Sequence, residues 1–184
     1  MVLTKTPICN FGEKPHSFQL KGVDNKLYTL EDCLGKNGTL IMFICNHCPY
    51  VKAVVTDIVD DCLSLEKEGI KSIAIMSNDT ENYPEDSFEN MIAFSDKYKF
   101  NFPYLIDENQ NIAKKYGAVC TPDFFGYNNK LELQYRGRIK ELKDLKPVKN
   151  SESDLLNAMR SIVKTGQGPK NQIPSMGCNI KWIK

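Results

Sequence analysis

Thr39-Leu40-Ile41-Met42-Phe43-Ile44, followed at once by Cys45-Asn46-His47-Cys48-Pro49-Tyr50-Val51, decides the fold. A near-continuous apolar run of this length is the signature of a strand buried on both faces. After Pro49, apolar residues at Val51, Val54, Val55, Ile58, Val59, Cys62 and Leu65 recur with helical period, and Gly69 stands where a helix C-cap belongs. Two cysteines separated by two residues therefore sit where a buried strand hands over to a helix.

Outward from that junction the pattern continues. Ile70 to Met76 reads as a second buried strand, and Pro84-Glu85-Asp86 opens a helix carrying Phe88, Met91, Ile92, Phe94 and Tyr98. Pro103 to Ile106 is a short strand, and Gln110 to Tyr116 a short helix closed by Gly117. Asp123 to Tyr127 and Leu131 to Tyr135 are strands turned by Asn128-Asn129-Lys130. Ser151 to Lys164 is a helix with Ser151 and Ser153 as N-cap candidates and Leu155, Leu156, Met159, Ile162 and Val163 as its stripe. Upstream, Phe18 to Leu20 and Leu27 to Leu30 flank Gly22-Val23-Asp24-Asn25 as a hairpin. Lys140 to Asn150 and Thr165 to Lys184 read as irregular. The expectation is an α/β sandwich with a central mixed sheet, helices on both faces, an N-terminal β-hairpin and an ordered C-terminal tail. One domain spans residues 1–184, its core about 14–164 and its tail, 165–184, packing on the body through Ile180, Trp182 and Ile183.

Composition narrows the class. The 184 residues are 41% hydrophobic and 26% charged, with Lys+Arg 24 against Asp+Glu 23 and a net charge of +1. A near-neutral chain with no basic block is not built for nucleic acid or an anionic membrane. No apolar run approaches the ~20 residues of a membrane span. Met1 to Pro7 lacks the apolar stretch of a signal peptide, so the expected compartment is the cytoplasm. An odd count of seven cysteines fits a reducing environment better than a disulfide framework. Cys9, Cys33 and Cys62 read as structural.

Cys45 and Cys48 are spaced for redox chemistry, because one helical turn brings the two sulfurs within disulfide reach. With Cys45 at the helix N-terminus, unpaired N–H groups and the macrodipole favour its thiolate by ~1 kcal/mol, or ~2 when partly buried. That lowers a thiol pKa by roughly one unit. His47 is placed to add positive charge, and Lys52 and Tyr50 to line the mouth. The expectation is that Cys45 attacks a disulfide and Cys48 resolves the mixed disulfide. Two other readings of the spacing are half of a zinc site, which needs two further ligands, and incidental spacing. No cofactor is implied.

The segments Phe43 to Lys52, Ser77-Asn78-Asp79, Tyr83 to Asp86, Phe102 to Asp107, Tyr116-Gly117-Ala118, Cys120 to Phe125, Tyr135 to Arg138 and Pro174 to Trp182 together resemble the thioredoxin superfamily. The resemblance is to its peroxiredoxin-like branch, the alkyl hydroperoxide reductase / thiol-specific antioxidant type, in members carrying C-x-x-C. It implies a thioredoxin-like fold in which Thr121-Pro122 is a cis-proline turn facing the cysteine pair. Thr121 would there pair its backbone with an extended substrate segment. It also implies a thiol–disulfide oxidoreductase acting on protein or small-molecule disulfides, supported by a thiol reductant.

Two departures stand out. The peroxide-site pattern P-x-x-x-[TS]-x-x-C is missing: counted from Cys45 it meets Met42 and Gly38, and counted from Cys48 it meets Cys45 and Ile41. That demotes a thiol-dependent peroxidase to an alternative. The buried Asp of thioredoxins, six residues before the first Cys, is replaced by Thr39. Cys120 and Cys178 remain open between packing, auxiliary redox thiols, and a metal or iron–sulfur module using them with Cys45 and Cys48. Arg136 and Arg138 read as a solvated or ion-paired strand edge.

Overall fold

The buried run at residues 39–44 lies at the centre of the molecule because both its faces are covered. The computed structural model describes residues 3–184; Met1 and Val2, part of the stretch read as lacking a leader, lie outside the described residues. The strands are β1 Leu3–Lys5, β2 Gln19–Gly22, β3 Leu27–Thr29, β4 Gly38–Phe43, β5 Ile70–Met76 and β6 Tyr104–Ile106. They continue with β7 Cys120–Thr121, β8 Asp123–Asn128, β9 Leu133–Tyr135, β10 Leu142–Lys143, β11 Lys146–Pro147 and β12 Met176–Asn179. The helices are α1 Pro49–Lys67, α2 Phe88–Tyr98, α3 Asn111–Tyr116 and α4 Asp154–Thr165.

Seven strands form the central mixed sheet in the order β3-β2-β6-β5-β4-β8-β9. β4, β5 and β6 are parallel, while β8, β9 and the β2–β3 hairpin pair antiparallel around them. Alternation along each strand splits the core into two layers. Leu40, Met42, Ala74 and Met76 pack with Val51, Val54 and Ile58 of α1, Met91 and Phe94 of α2, and Leu155, Met159 and Ile162 of α4. Ile41, Phe43, Ile73 and Ile75 pack on the other face with Ile112, Ala113 and Tyr116 of α3. Each fully buried Leu, Ile or Phe contributes about 1.5–3 kcal/mol relative to exposure. Among the described residues no helix is long and apolar enough to cross a membrane.

Several expectations shift at their edges. α1 begins at Pro49, whose missing N–H costs nothing at the first helical position, so Cys48 is its N-cap. Cys45 stands three residues before the cap, not at the helix N-terminus. Pro84–Asp86 is a separate 3-10 turn, and α2 starts only at Phe88, capped by the Ser87 hydroxyl accepting from the Asn90 N–H at 3.3 Å. Ser153, not Ser151, caps α4, accepting from the Leu156 N–H at 3.0 Å. The lysine-rich stretch read as irregular holds the β10–β11 hairpin, and the tail contains β12.

β12 lies between β1 and β7 in a second, three-stranded sheet. Its register sets Cys178 opposite Thr121 and Asn179 opposite Cys120. Chain continues past it on anchors: Ile180 N–H donates to Val119 O at 3.0 Å, Lys181 N–H to Asn78 Oδ1 at 2.9 Å, and the Gln110 side-chain amide to Lys181 O at 2.7 Å.

Candidate active site

Cys45 and Cys48 occupy the turn between β4 and α1, against the Thr121-Pro122 bond, which is cis. Cys45 Sγ lies 3.3 Å from Thr121 Oγ1, and Cys48 Sγ lies 3.2 Å from Thr121 O. A third sulfur joins them: Cys178 Sγ is 2.9 Å from Cys48 Sγ. None of the seven cysteines is in a disulfide.

The loop between the first two cysteines is pinned by one buried carboxylate. Asp86 Oδ1 accepts the Asn46 N–H at 2.7 Å and the His47 N–H at 3.3 Å, while Oδ2 accepts the Asn78 side-chain amide at 2.7 Å and lies 2.6 Å from His47 Nδ1. Tyr104 donates its hydroxyl to Asn46 Oδ1 at 2.9 Å, completing the clamp from β6. The His47 and Tyr83 rings stack at 5.8 Å. Sequence reading missed Asp86, Asn78 and Tyr104 as site residues. The available signal was that Tyr83 to Asp86 and Phe102 to Asp107 carried part of the resemblance.

The electrostatics reverse the roles expected for the two cysteines. Cys48 accepts the Cys45 thiol hydrogen bond, and against the cost of burial it also accepts from the Cys178 thiol and from the Val51 and Cys178 N–H groups; its pKa falls to about 5. The Val51 N–H is an orphan donor of the first helical turn, available to a residue at the N-cap. Burial holds Cys45 protonated, its pKa well above the usual thiol value, reinforced by its donation to Cys48 and by the Asp86 charge. Burial likewise pushes Cys178 up to about 12, and donation to Cys48 adds to it. Neighbouring thiols and the Val51 and Cys178 N–H groups thus favour charge on Cys48 over Cys45, with Pro49 starting the helix one residue after Cys48.

The Asp86 hydrogen bond raises the His47 pKa, and the ring's positive charge is matched by a carboxylate 2.6 Å away. Asp86, despite burial, is held below the usual carboxylate range by His47 and Asn78. Lys52 is exposed at the helix start.

Thr121 and Pro122 do face the pair, but the backbone edge assigned to substrate is filled by the chain's own β12. Side chains of directly opposite strand residues share a face, so Cys178 lies on the Thr121 side with the cysteine pair. Cys120, one residue along, is directed to the other face; it is fully buried and burial pushes its thiol up. The four-cysteine metal set is therefore not assembled around one point. Among the described residues, Cys45, His47 and Asp86 instead bring one ligand atom each within 4.8 Å of one another, though His47 Nδ1 and Asp86 are engaged with each other.

Of the two readings of Arg136, solvated or ion-paired, the structure shows the ion-paired one. Arg136 is buried, donates to both Asp123 oxygens at 3.3 and 2.8 Å and to Gly117 O at 2.7 Å, and lies over the Phe125 ring. Arg138 pairs with Asp154 at 2.7 Å near the surface.

Residues 11–142 match the AhpC/TSA family model. Peroxiredoxin Q, chloroplastic, from Populus jackii is 27% identical over 117 residues, 64% of this chain and 50% of that protein, so the chain spans about half the length of that relative. An uncharacterized conserved protein from Geobacillus kaustophilus has a solved structure 37% identical, covering 100% of this chain and 97% of that one, with a TM-score of 0.94. A secreted Mycobacterium tuberculosis disulfide oxidoreductase homologous to E. coli DsbE shares the fold at 16% identity, covering 64% of this chain and 80% of that one, with a TM-score of 0.55. With its thioredoxin-like sheet and its dithiol at the β4–α1 turn, the chain belongs to the AhpC/TSA family of peroxiredoxin-like redox proteins.

Proposed function

We propose that the chain is a thiol–disulfide oxidoreductase whose Cys45–Cys48 pair cycles between dithiol and disulfide. The observation that carries this reading is the placement of Cys48 at the N-cap of α1 with Cys45 hydrogen-bonded to it, against the cis Thr121-Pro122 turn, contacts that draw the Cys48 pKa down. At neutral pH such a sulfur is a thiolate, the form that attacks disulfides. Cys48 attacks a protein or small-molecule disulfide, one substrate sulfur leaves as thiolate, and a mixed disulfide forms. Cys45 then loses its proton and attacks Cys48 Sγ, closing the internal disulfide and releasing the second substrate thiol. A thiol reductant returns the pair to the dithiol. This order is the reverse of the one expected from sequence, and it follows from which sulfur the helix amides reach.

Trapping tests it. Because Cys178 Sγ lies 2.9 Å from Cys48 and would release an adduct, the variants are made with Cys178→Ser as well. Offered a disulfide-bonded protein, Cys45→Ser should accumulate a mixed disulfide and Cys48→Ser should not. Accumulation only on Cys48→Ser overturns the order; no adduct on either, with no disulfide reduction by the unsubstituted chain, overturns the function.

Family membership favours a second reading, thiol-dependent peroxide reduction, with Cys48 attacking the peroxide oxygen. Peroxide consumption that needs Cys48 and outpaces disulfide reduction would support it.

A further inference from the structure

Both sulfurs of the pair are shut away: Cys45 is 1% exposed and Cys48 0%. Part of what covers them is β12, and β12 lies along Thr121 in the antiparallel register that an added strand would take. The tail thus occupies the backbone edge beside the dithiol, and it carries a cysteine at the register position opposite Thr121, its sulfur 2.9 Å from Cys48 Sγ. Residues 143–184, which supply that strand, fall outside the segment matched by the family model.

We propose that Cys178 is a third redox thiol of this site and exchanges with the Cys45–Cys48 disulfide to give a Cys48–Cys178 disulfide that bolts the tail over the pair. The inference rests on the redox role of Cys48 proposed above. The step is redox-neutral. Cys178 gives up its proton and attacks Cys48 Sγ, the Cys48–Cys178 bond forms, and the Cys45–Cys48 bond breaks. The electron pair leaves on Cys45, which takes a proton and becomes a thiol.

Three observations carry this. First, the 2.9 Å separation lies between ordinary hydrogen-bond contact for thiols and the ~2.05 Å of a covalent disulfide. Second, the arrangement is held from both sides. Ser175 donates its hydroxyl to Pro122 O at 2.7 Å before the cysteine, Ile180 N–H is anchored on Val119 after it, and the Cys178 N–H donates to the Cys48 sulfur. Third, the tail approaches so closely that residue 177 must be glycine, since a Cβ there would stand 1.9 Å from Thr121 O. A cysteine that only packs looks different in this same molecule. Cys62 sits on the apolar stripe of α1 with the core cluster around it.

The test is a non-reducing peptide map. The full chain is oxidised stepwise in glutathione buffers, quenched in acid, alkylated and digested. Cys45→Ser should form the Cys48–Cys178 disulfide, and Cys178→Ser the Cys45–Cys48 disulfide. In the oxidised Cys45→Ser chain, tryptic cleavage after Lys170 and Lys181 should slow by about tenfold, since proteolysis follows the population of the open tail. If Cys48 and Cys178 both remain alkylatable in Cys45→Ser while Cys178→Ser closes its pair at the same poise, the inference is overturned and the proposed function stands. If Cys178→Ser fails to close its pair, no Cys45–Cys48 disulfide exists for Cys178 to exchange with, and both the inference and the proposed function are overturned. Should Cys45→Ser not fold, the unsubstituted chain decides: a Cys48–Cys178 peptide during stepwise oxidation supports exchange, and its absence at every step overturns it.

Discussion

His47 and Asp86, 39 residues apart in the chain, meet at 2.6 Å between Nδ1 and Oδ2. The same carboxylate receives the Asn46 backbone, so one buried group fixes both residues that separate the cysteines. The loop that spaces the two sulfurs is thereby held from the 3-10 turn at Pro84–Asp86. Within the pair the imidazolium answers the Asp86 carboxylate, while helix amides and thiol hydrogen bonds favour charge on Cys48.

Replacing Asp86 by Asn removes the ion pair while keeping the shape. His47 carries a folded pKa raised above 6.5, so its contribution is complete below that value and fades as pH climbs through the raised one. Asp86 is depressed below 3.8, so its contribution is present above that value and fades as pH drops through the folded one. The stability gap between the two proteins should therefore be widest between about pH 4 and 6.5, at about 3 kcal/mol for a broken buried pair. Denaturant melts across that range, with imidazole NMR reporting a lowered His47 midpoint, check both signs.

Thiolate absorbance near 240 nm should titrate with a midpoint of about 5 in the unsubstituted chain and vanish in Cys48→Ser. Cys45→Ala removes the thiol donor, and a charge-assisted hydrogen bond of ~1.5–3 kcal/mol corresponds to a midpoint about 1–2 units higher. Linkage gives the matching stability profile. The folded pKa lies below the ordinary 9.0, so stabilisation present above that value is lost as pH falls through about 5. A midpoint near 9 in the native protein would remove the basis for Cys48 as nucleophile.

Gly177→Ala puts a methyl where Thr121 O already stands, so the strand must back away. We expect a loss of about 1–3 kcal/mol from overpacking. Alkylation of Cys48 should also accelerate, because the cover over it loosens. Stopped-flow labelling with a small maleimide measures this; an unchanged rate would mean that β12 does not control access.

Arg136→Met leaves the fully buried Asp123 without its partner, and burial already lifts that carboxyl to about 6 even with the arginine present. The expected cost is about 3–5 kcal/mol, visible in urea melts. Arg136→Lys should recover only part of it, since an ammonium cannot span both oxygens and Gly117 O. Arg138→Ala, at a half-exposed pair, should cost under ~1 kcal/mol.

Long periodic segments were legible from the chain. Ile70–Met76 emerges with the boundaries read from its apolar run, and α1 follows the Val51-to-Leu65 stripe. The hairpin, the αL turn at Gly117 and the Ser153 cap also follow from local chemistry. Short pieces were not legible. β7, β10 and β11 are two residues each, too few to show alternation, and β12 is Met-Gly-Cys-Asn, whose partner lies far away. Arg136 looked like surface because nothing adjacent to it announces Asp123, 13 residues upstream.

Sequence alone determined that a buried strand runs into an amphipathic helix with two cysteines at the joint, because apolar periodicity and Gly/Pro punctuation are properties of neighbouring residues. Tertiary structure alone decided that Asp86 clamps the loop and that Cys178 arrives 2.9 Å from Cys48 across 130 residues. Charge stabilisation and sulfur exchange depend on distance through space, and that distance is set only when the sheet, α1 and the tail strand have packed together.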